Sequence, residues 1–163
     1  ESKARNVQET TPLYQLATGV KRNFTFNCDY GIAEKIRLKS RIQYSRYFFD
    51  RKTSRGFTIV QDASISVGRF RFTGRQALFD TDDFDNRQYN YENDAWLAYS
   101  FPSYSGCGVR NYALIEYKIS KNLTVWARYA RTRLLNEEEI SGGHDAIEGN
   151  TRNDVKFQAR FTF

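Results

Sequence analysis

The sequence predicts an all-β fold of antiparallel strands connected up and down, and three observations carry that expectation. Apolar side chains recur at every second position in segment after segment, which is the period of a strand with one dry and one wet face. The 163-residue chain is 40% hydrophobic and 16% aromatic, yet it holds no run of about 18 apolar residues that could form a spanning helix. Its connections divide into short polar turns and long acidic or glycine-rich stretches. A mean hydropathy of −0.70 and 27% charged residues resemble a water-soluble chain, but apolarity confined to alternate positions escapes such averaging. The eleven Tyr and thirteen Phe are what aromatic girdles at two membrane surfaces require. The fold class expected is an antiparallel up-and-down transmembrane β-barrel, to which this chain supplies about eight strands.

Each element follows from its pattern. Residues 1–12 read as a polar lead-in or strand end, and residues 13–163 as barrel strands. Within residues 13–30, Phe24, Phe26, Cys28 and Tyr30 alternate with Asn23, Thr25, Asn27 and Asp29. The next strand is the most lopsided: Ile36, Leu38, Ile42 and Tyr44 lie on one face, Lys35, Arg37, Lys39 and Arg41 on the other. Four cations in a row cannot face hydrocarbon, so these four are expected to face a watery lumen. In residues 57–67, Phe57, Ile59, Ala63, Ile65 and Val67 oppose Thr58, Val60, Asp62, Ser64 and Ser66. Residues 70–79, 91–101, 112–119, 123–132 and 152–163 complete the series. Within 91–101, Ala95, Leu97, Tyr99 and Phe101 oppose Glu92, Asp94, Trp96, Ala98 and Ser100.

Short turns near residues 31–34, 68–69 and 120–122 contrast with long connections at 80–90 and 135–151. Outer-membrane barrels gather short turns on one rim and long loops on the other. Strict counting through residues 91–101 and 112–119 puts the turns at Gly68 and Ser120 on opposite rims. Either a short strand lies between Phe79 and Asn111, or one short turn belongs to the long-loop rim.

Net charge is +6, from 25 basic and 19 acidic residues spread along the chain, a distribution unlike a nucleic-acid-binding arm. An eight-stranded barrel is only just wide enough for its own side chains, and each buried charge then needs a bonded partner. The basic excess on the wet faces therefore points to a wider, hydrated barrel, of which these strands form the C-terminal part.

Candidates for chemistry are few. Asp80, Asp82, Asp83 and Asp85 offer hard oxygen ligands, but Phe84 interrupts the spacing of a calcium loop, and a solvated acidic loop is the better reading. His144, beside Asp145, has Ser141 as its only sequence-near nucleophile, in a glycine-containing loop. Cys28 reads as a small buried apolar residue, and a disulfide to Cys107 is left open. No phosphate loop, metal cluster or nucleophile elbow is present, so neither an enzyme nor a cofactor is expected.

The last nine residues alternate strictly, Val155, Phe157, Ala159, Phe161 and Phe163 against Lys156, Gln158, Arg160 and Thr162, and finish on an aromatic. This resembles the terminal strand of bacterial outer-membrane barrels, in which such residues form the signal read by the insertion machinery. The stretches Ala77-Leu78-Phe79-Asp80-Thr81-Asp82-Asp83, Tyr91-Glu92-Asn93-Asp94, residues 121–130 and Glu148-Gly149-Asn150-Thr151-Arg152 are in turn similar to the C-terminal region of large Bacteroidota outer-membrane proteins labelled helix-hairpin-helix domain proteins.

That resemblance implies the outer membrane of a Gram-negative cell, contact with lipid or lipopolysaccharide, assembly by the insertion machinery, and a structural or channel-like role, alone or beside other outer-membrane subunits. It brings no catalytic residues, and no nucleic acid is expected for this segment. The other expectation is a soluble basic β-barrel that binds an anionic ligand through the face carrying Lys35, Arg37, Lys39 and Arg41.

Overall fold

The computed structural model describes residues 2–6, 16–137, 139–140 and 147–163. Its main element is one eight-stranded sheet built from β1 (Ser2–Asn6), β2 (Leu16–Ala33), β3 (Ile36–Phe49), β4 (Lys52–Val67), β5 (Phe70–Thr81), β8 (Cys107–Lys118), β9 (Leu123–Leu134) and β12 (Thr151–Phe161). Every neighbouring pair is antiparallel, in the order the chain supplies them. Two small ribbons stand apart: β6 (Gln88–Tyr89) with β7 (Ser103–Tyr104), and β10 (Glu139–Ile140) with β11 (Ile147–Glu148). Among the described residues there is no α-helix, and β1 and β12 form the two open edges of the sheet.

The up-and-down all-β architecture agrees with the alternation, but one expected strand is absent from the sheet. Residues 91–101 do not cross it; they hold a single bridge between Glu92 and Ser100 within a loop. The eighth strand is instead β1, in the segment that reads as a lead-in or strand end. With residues 91–101 removed, β5 pairs directly with β8 and the rim inconsistency disappears. Backbone bonds from Ser66 N to Lys35 O (2.9 Å), Lys118 N to Arg69 O (3.0 Å) and Thr162 N to Asn122 O (2.9 Å) gather the short turns on one rim. The opposite rim carries the 82–106 and 135–150 connections and the tight β3–β4 turn, whose Asp50 and Arg51 both have positive φ (43° and 64°).

Period two sorts the sheet into two faces. The outer face is apolar and exposed: Phe24, Phe26, Tyr30, Ile42, Ile59, Phe72, Ile115 and Phe157 lie on it, Phe24 and Phe26 each 65% and Phe157 81% accessible. Its apolar middle is crossed by a polar row, Ser40, Gln61, Gln76, Asn111, Arg131 and Asn153, each paired in register with the next, and Arg22, Arg46 and Arg55 form another toward the long-loop rim. The inner face is charged and hydroxylated, and the core is confined to it. Two small clusters, Val60, Ala77, Phe79, Tyr104 and Leu134, and Ala95, Tyr112, Leu114, Trp126 and Ala130, form where residues 82–106 lie against the sheet. The fold is thus a sheet covered on its polar side by its own loop, with the greasier side uncovered.

Cys28 departs from the expected burial, since its position in phase with Phe24 and Phe26 sets it on the exposed outer face. Both cysteines are free, and Cys28 on β2 is four strand steps from Cys107 on β8, roughly 19 Å at ~4.8 Å per step. That span is far beyond disulfide reach.

Candidate functional site

The most elaborated chemistry of the molecule lies between the inner face and residues 82–106, which fold back over it as a strap. Local turn chemistry sends the chain that way. Asp82 Oδ2 accepts from Arg55 N (2.8 Å) while Asp82 N donates to Arg55 O (2.9 Å), closing the end of β5 onto β4. Asp83 then caps a 3₁₀ turn, Phe84–Asn86, by accepting from Asn86 N at 2.8 Å. Arg87 closes that turn through its backbone N–H to Phe84 O (3.1 Å) and lays its guanidinium over the Phe84 ring. Beyond it the β6–β7 ribbon, continued by the Glu92–Ser100 bridge, makes the strap a narrow hairpin, with Leu97 at φ 56° near its tip.

At the centre is Glu92, whose side chain is fully buried. Arg110 of β8 donates to it bidentately, Nε to Oε1 at 2.8 Å and Nη2 to Oε2 at 3.0 Å, and Arg128 of β9 donates from Nη2 to Oε2. Tyr104 and Ser100 add hydroxyl donors at 3.2 and 3.3 Å. A buried carboxylate is tolerable only with such partners, because water no longer solvates it. Burial, reinforced by the neighbouring Glu92 charge, holds the Tyr104 hydroxyl above its ordinary value, so it remains a donor.

The strap tip reaches the edge strand. Lys156 Nζ lies 2.6 Å from Asp94 Oδ2, Gln158 donates to Trp96 O at 2.9 Å, and Arg160 sits over the Trp96 ring. At its base Gln88 donates to Ser45 Oγ of β3 at 2.9 Å. The hairpin therefore braces the inner face from β3 to β12. Buried polar atoms without a hydrogen-bond partner occur along its length, on Asn86, Gln88, Asn90, Ser54 and Thr58 near the base and on Arg128 and Arg160 toward the tip.

The strap covers the inner face from β4 to β12 and touches β3 through Ser45 and Arg41, leaving the short-turn ends of β2 and β3 open. There Arg37 and Lys39 share one carboxylate, Asp29, at 3.7 and 3.2 Å, and Arg41 is bound by the amides of Asn27 (2.7 Å) and Asn90 (3.0 Å). These three cations, with Asp62, Arg75 and Tyr91, line a cavity of about 420 Å³. Arg75 is bound to both oxygens of Asp62.

The four cations expected in the lumen divide. Arg37, Lys39 and Arg41 share the inner face, whereas Lys35 sits in the β2–β3 turn, one residue before β3 begins. Val155, Phe157, Ala159 and Phe161 line the outer face of the edge strand β12, and Phe163 follows its end with its ring edge-on to Phe161 at 5.1 Å. Asp80, Asp82, Asp83 and Asp85 do not converge. Asp80 points outward, Asp82 and Asp83 serve the turns, and among the described residues no group of three or more His, Cys, Asp or Glu is arranged for a metal ion. Ser141 and His144 lie outside the described residues.

Arg110 escapes a reading in which its strand starts at Tyr112. Alternation carried back to Cys107 aligns Gly108, Arg110, Tyr112, Leu114 and Glu116 on one face, which is the signal that finds it. Glu92 and Asp94, which share one side of residues 91–101 in the sequence, both meet the sheet's inner face, but from a loop and not from a strand of the wall. Comparison with protein-family models, with curated proteins and with solved structures yields no match.

Proposed function

We propose that this chain forms part of the wall of an outer-membrane β-barrel, structural or channel-like, with a watery interior partly filled by the strap. The single observation that supports the reading is the inversion of the sheet. Its uncovered outer face is apolar through most of the middle of the sheet, broken there by the row from Ser40 to Asn153, while its inner face carries ion-paired charges met by a loop bearing countercharges. In water the burial would run the other way, because hydrophobic area drives collapse.

The dimensions suit a bilayer. The outer apolar stretch of β4, Phe57 to Val67, spans ten residue steps, about 34 Å of strand and ~25 Å of membrane normal at the usual 35–45° tilt. A polar row perpendicular to tilted strands climbs across such a band rather than ringing it. On β3–β4 its groups are satisfied within the sheet, with Ser40 Oγ donating to Gln61 Oε1 and Gln61 Nε2 to Lys39 O at 3.2 Å. Lipid or lipopolysaccharide would be the partner of the outer face and the insertion machinery that of the assembling chain.

The test is site-directed spin labelling along β2 in detergent or lipid. Labels at Phe24, Phe26 and Cys28 should be accessible to oxygen, and labels at Thr25 and Asn27 to a water-soluble nickel chelate. A chain that folds as a detergent-free monomer with residues 24, 26 and 28 protected from both reagents overturns the proposal and favours a soluble anion-binding barrel.

A further inference from the structure

We infer that the outer face carries a binding site for the phosphates of anionic lipid head groups, formed by Arg22, Arg46 and Arg55 on the long-loop side. The inference rests on the membrane reading above and assigns the chemistry of one lipid contact within it.

The three arginines come from β2, β3 and β4 and are direct cross-strand partners, Arg22 with Arg46 and Arg46 with Arg55. All three are exposed, and among the described residues none of them forms an ion pair with a carboxylate. Like charges directly opposite one another destabilise a sheet. Three guanidinium groups in consecutive register are therefore a cost that an external anion can offset. The nearest carboxylate, Asp82, meets Arg55 through its backbone N–H (2.8 Å), whereas Arg75 and Arg110 of the same sheet bind Asp62 and Glu92 through their guanidinium groups.

Its surroundings select the class of anion. Two residues toward the short-turn rim, Phe24, Tyr44 and Phe57 form an aromatic row in the same register, all exposed on the same face. Below that row the apolar band begins with Phe26, Ile42 and Ile59. Hydrocarbon, then aromatic, then cation is the sequence of layers through a bilayer interface, where aromatic rings sit at head-group level. A guanidinium offers a planar fork matched to phosphate oxygens, and cations near an anionic membrane surface bind it additively. A free aqueous anion would have no use for the aromatic row beneath.

The experiment uses the full chain in lipid nanodiscs of phosphatidylcholine doped with phosphatidylglycerol, with retained lipids identified by native mass spectrometry. The wild type should retain phosphatidylglycerol over phosphatidylcholine, and R22Q/R46Q/R55Q should lose about tenfold or more of that preference. R22K/R46K/R55K should keep part of it, and R37Q/K39Q/R41Q on the inner face should keep all of it. Because the glutamine variant also removes mutual repulsion, it should be more heat-stable than wild type in pure phosphatidylcholine and lose that advantage in the doped discs. An unchanged lipid preference in R22Q/R46Q/R55Q overturns the site while leaving the membrane reading intact. Failure of the wild type to float with phosphatidylcholine vesicles overturns the membrane reading, and the site with it.

Discussion

Arg110 and Glu92, eighteen residues apart, meet in a two-pronged ion pair, Nε to Oε1 at 2.8 Å and Nη2 to Oε2 at 3.0 Å, with Glu92 fully buried. Arg128 approaches the same carboxylate, so one acid binds two buried cations from adjacent strands, with Asp154 at 3.8 Å from Arg110 and Asp94 at 3.8 Å from Arg128 supplying further negative charge. Replacing one member of a buried pair leaves the other charged and unsolvated, which costs about 3–5 kcal/mol. Glu92→Gln should therefore lower stability by that amount in denaturant titrations and expose residues 84–104 to protease. A variant as stable and as resistant as wild type would show that the strap is held by something else.

Charges introduced on the two faces should have unequal effects. Val125 and Phe157 lie on the outer face, and Lys at either should cost about 2–4 kcal/mol in a bilayer at mid-depth. Thr25, exposed on the inner face, should accept Lys at far smaller cost. Reversible folding into vesicles measures the difference, and equal costs would contradict the assignment of faces.

The Tyr104 hydroxyl, held above its ordinary value of 10.0 by burial, gives a pH dependence with a definite sign. The folded state binds this proton more tightly than the unfolded state, so its contribution is complete below pH 10 and is lost as pH rises beyond it. Thermal unfolding should weaken more steeply above pH 10 in the wild type than in Tyr104→Phe. Parallel slopes for the two proteins would exclude this tyrosine as the cause.

The β3–β4 turn places Asp50 and Arg51 at φ 43° and 64°, the conformation of a two-residue hairpin turn that favours Asn-Gly. Arginine enters that region only with strain. Arg51→Gly, or D50N/R51G, should stabilise the fold by about 0.5–1 kcal/mol with no change in secondary structure. Calorimetry in detergent would detect the rise in Tm, and a fall would mean that the Arg51 side chain makes a stabilising contact.

Much of the fold is legible locally. Strand alternation fixes which residues share a face without any knowledge of partners, so the residue pattern alone separates Phe24, Phe26 and Phe157 from Arg37, Lys39 and Arg41. Residues 91–101 mislead the same rule, because Glu92, Asp94, Ala95 and Ser100 alternate well enough to pass for a strand. What decides against it is nonlocal: the hydrogen-bonding edge of β5 is taken by β8, and Glu92 finds Arg110 and Arg128 on the sheet it would have had to join.

The all-β class and the two-faced character of each strand are written in the order of residues, since both arise from a period of two along the backbone. Which positions stand side by side is settled in the assembled sheet. The row Arg22, Arg46, Arg55, the polar row from Ser40 to Asn153, and the binding of buried Arg110 and Arg128 by a loop carboxylate all depend on how strands and strap come together. Register is a property of pairs, set by turn geometry and by packing between distant segments, and no single strand contains it.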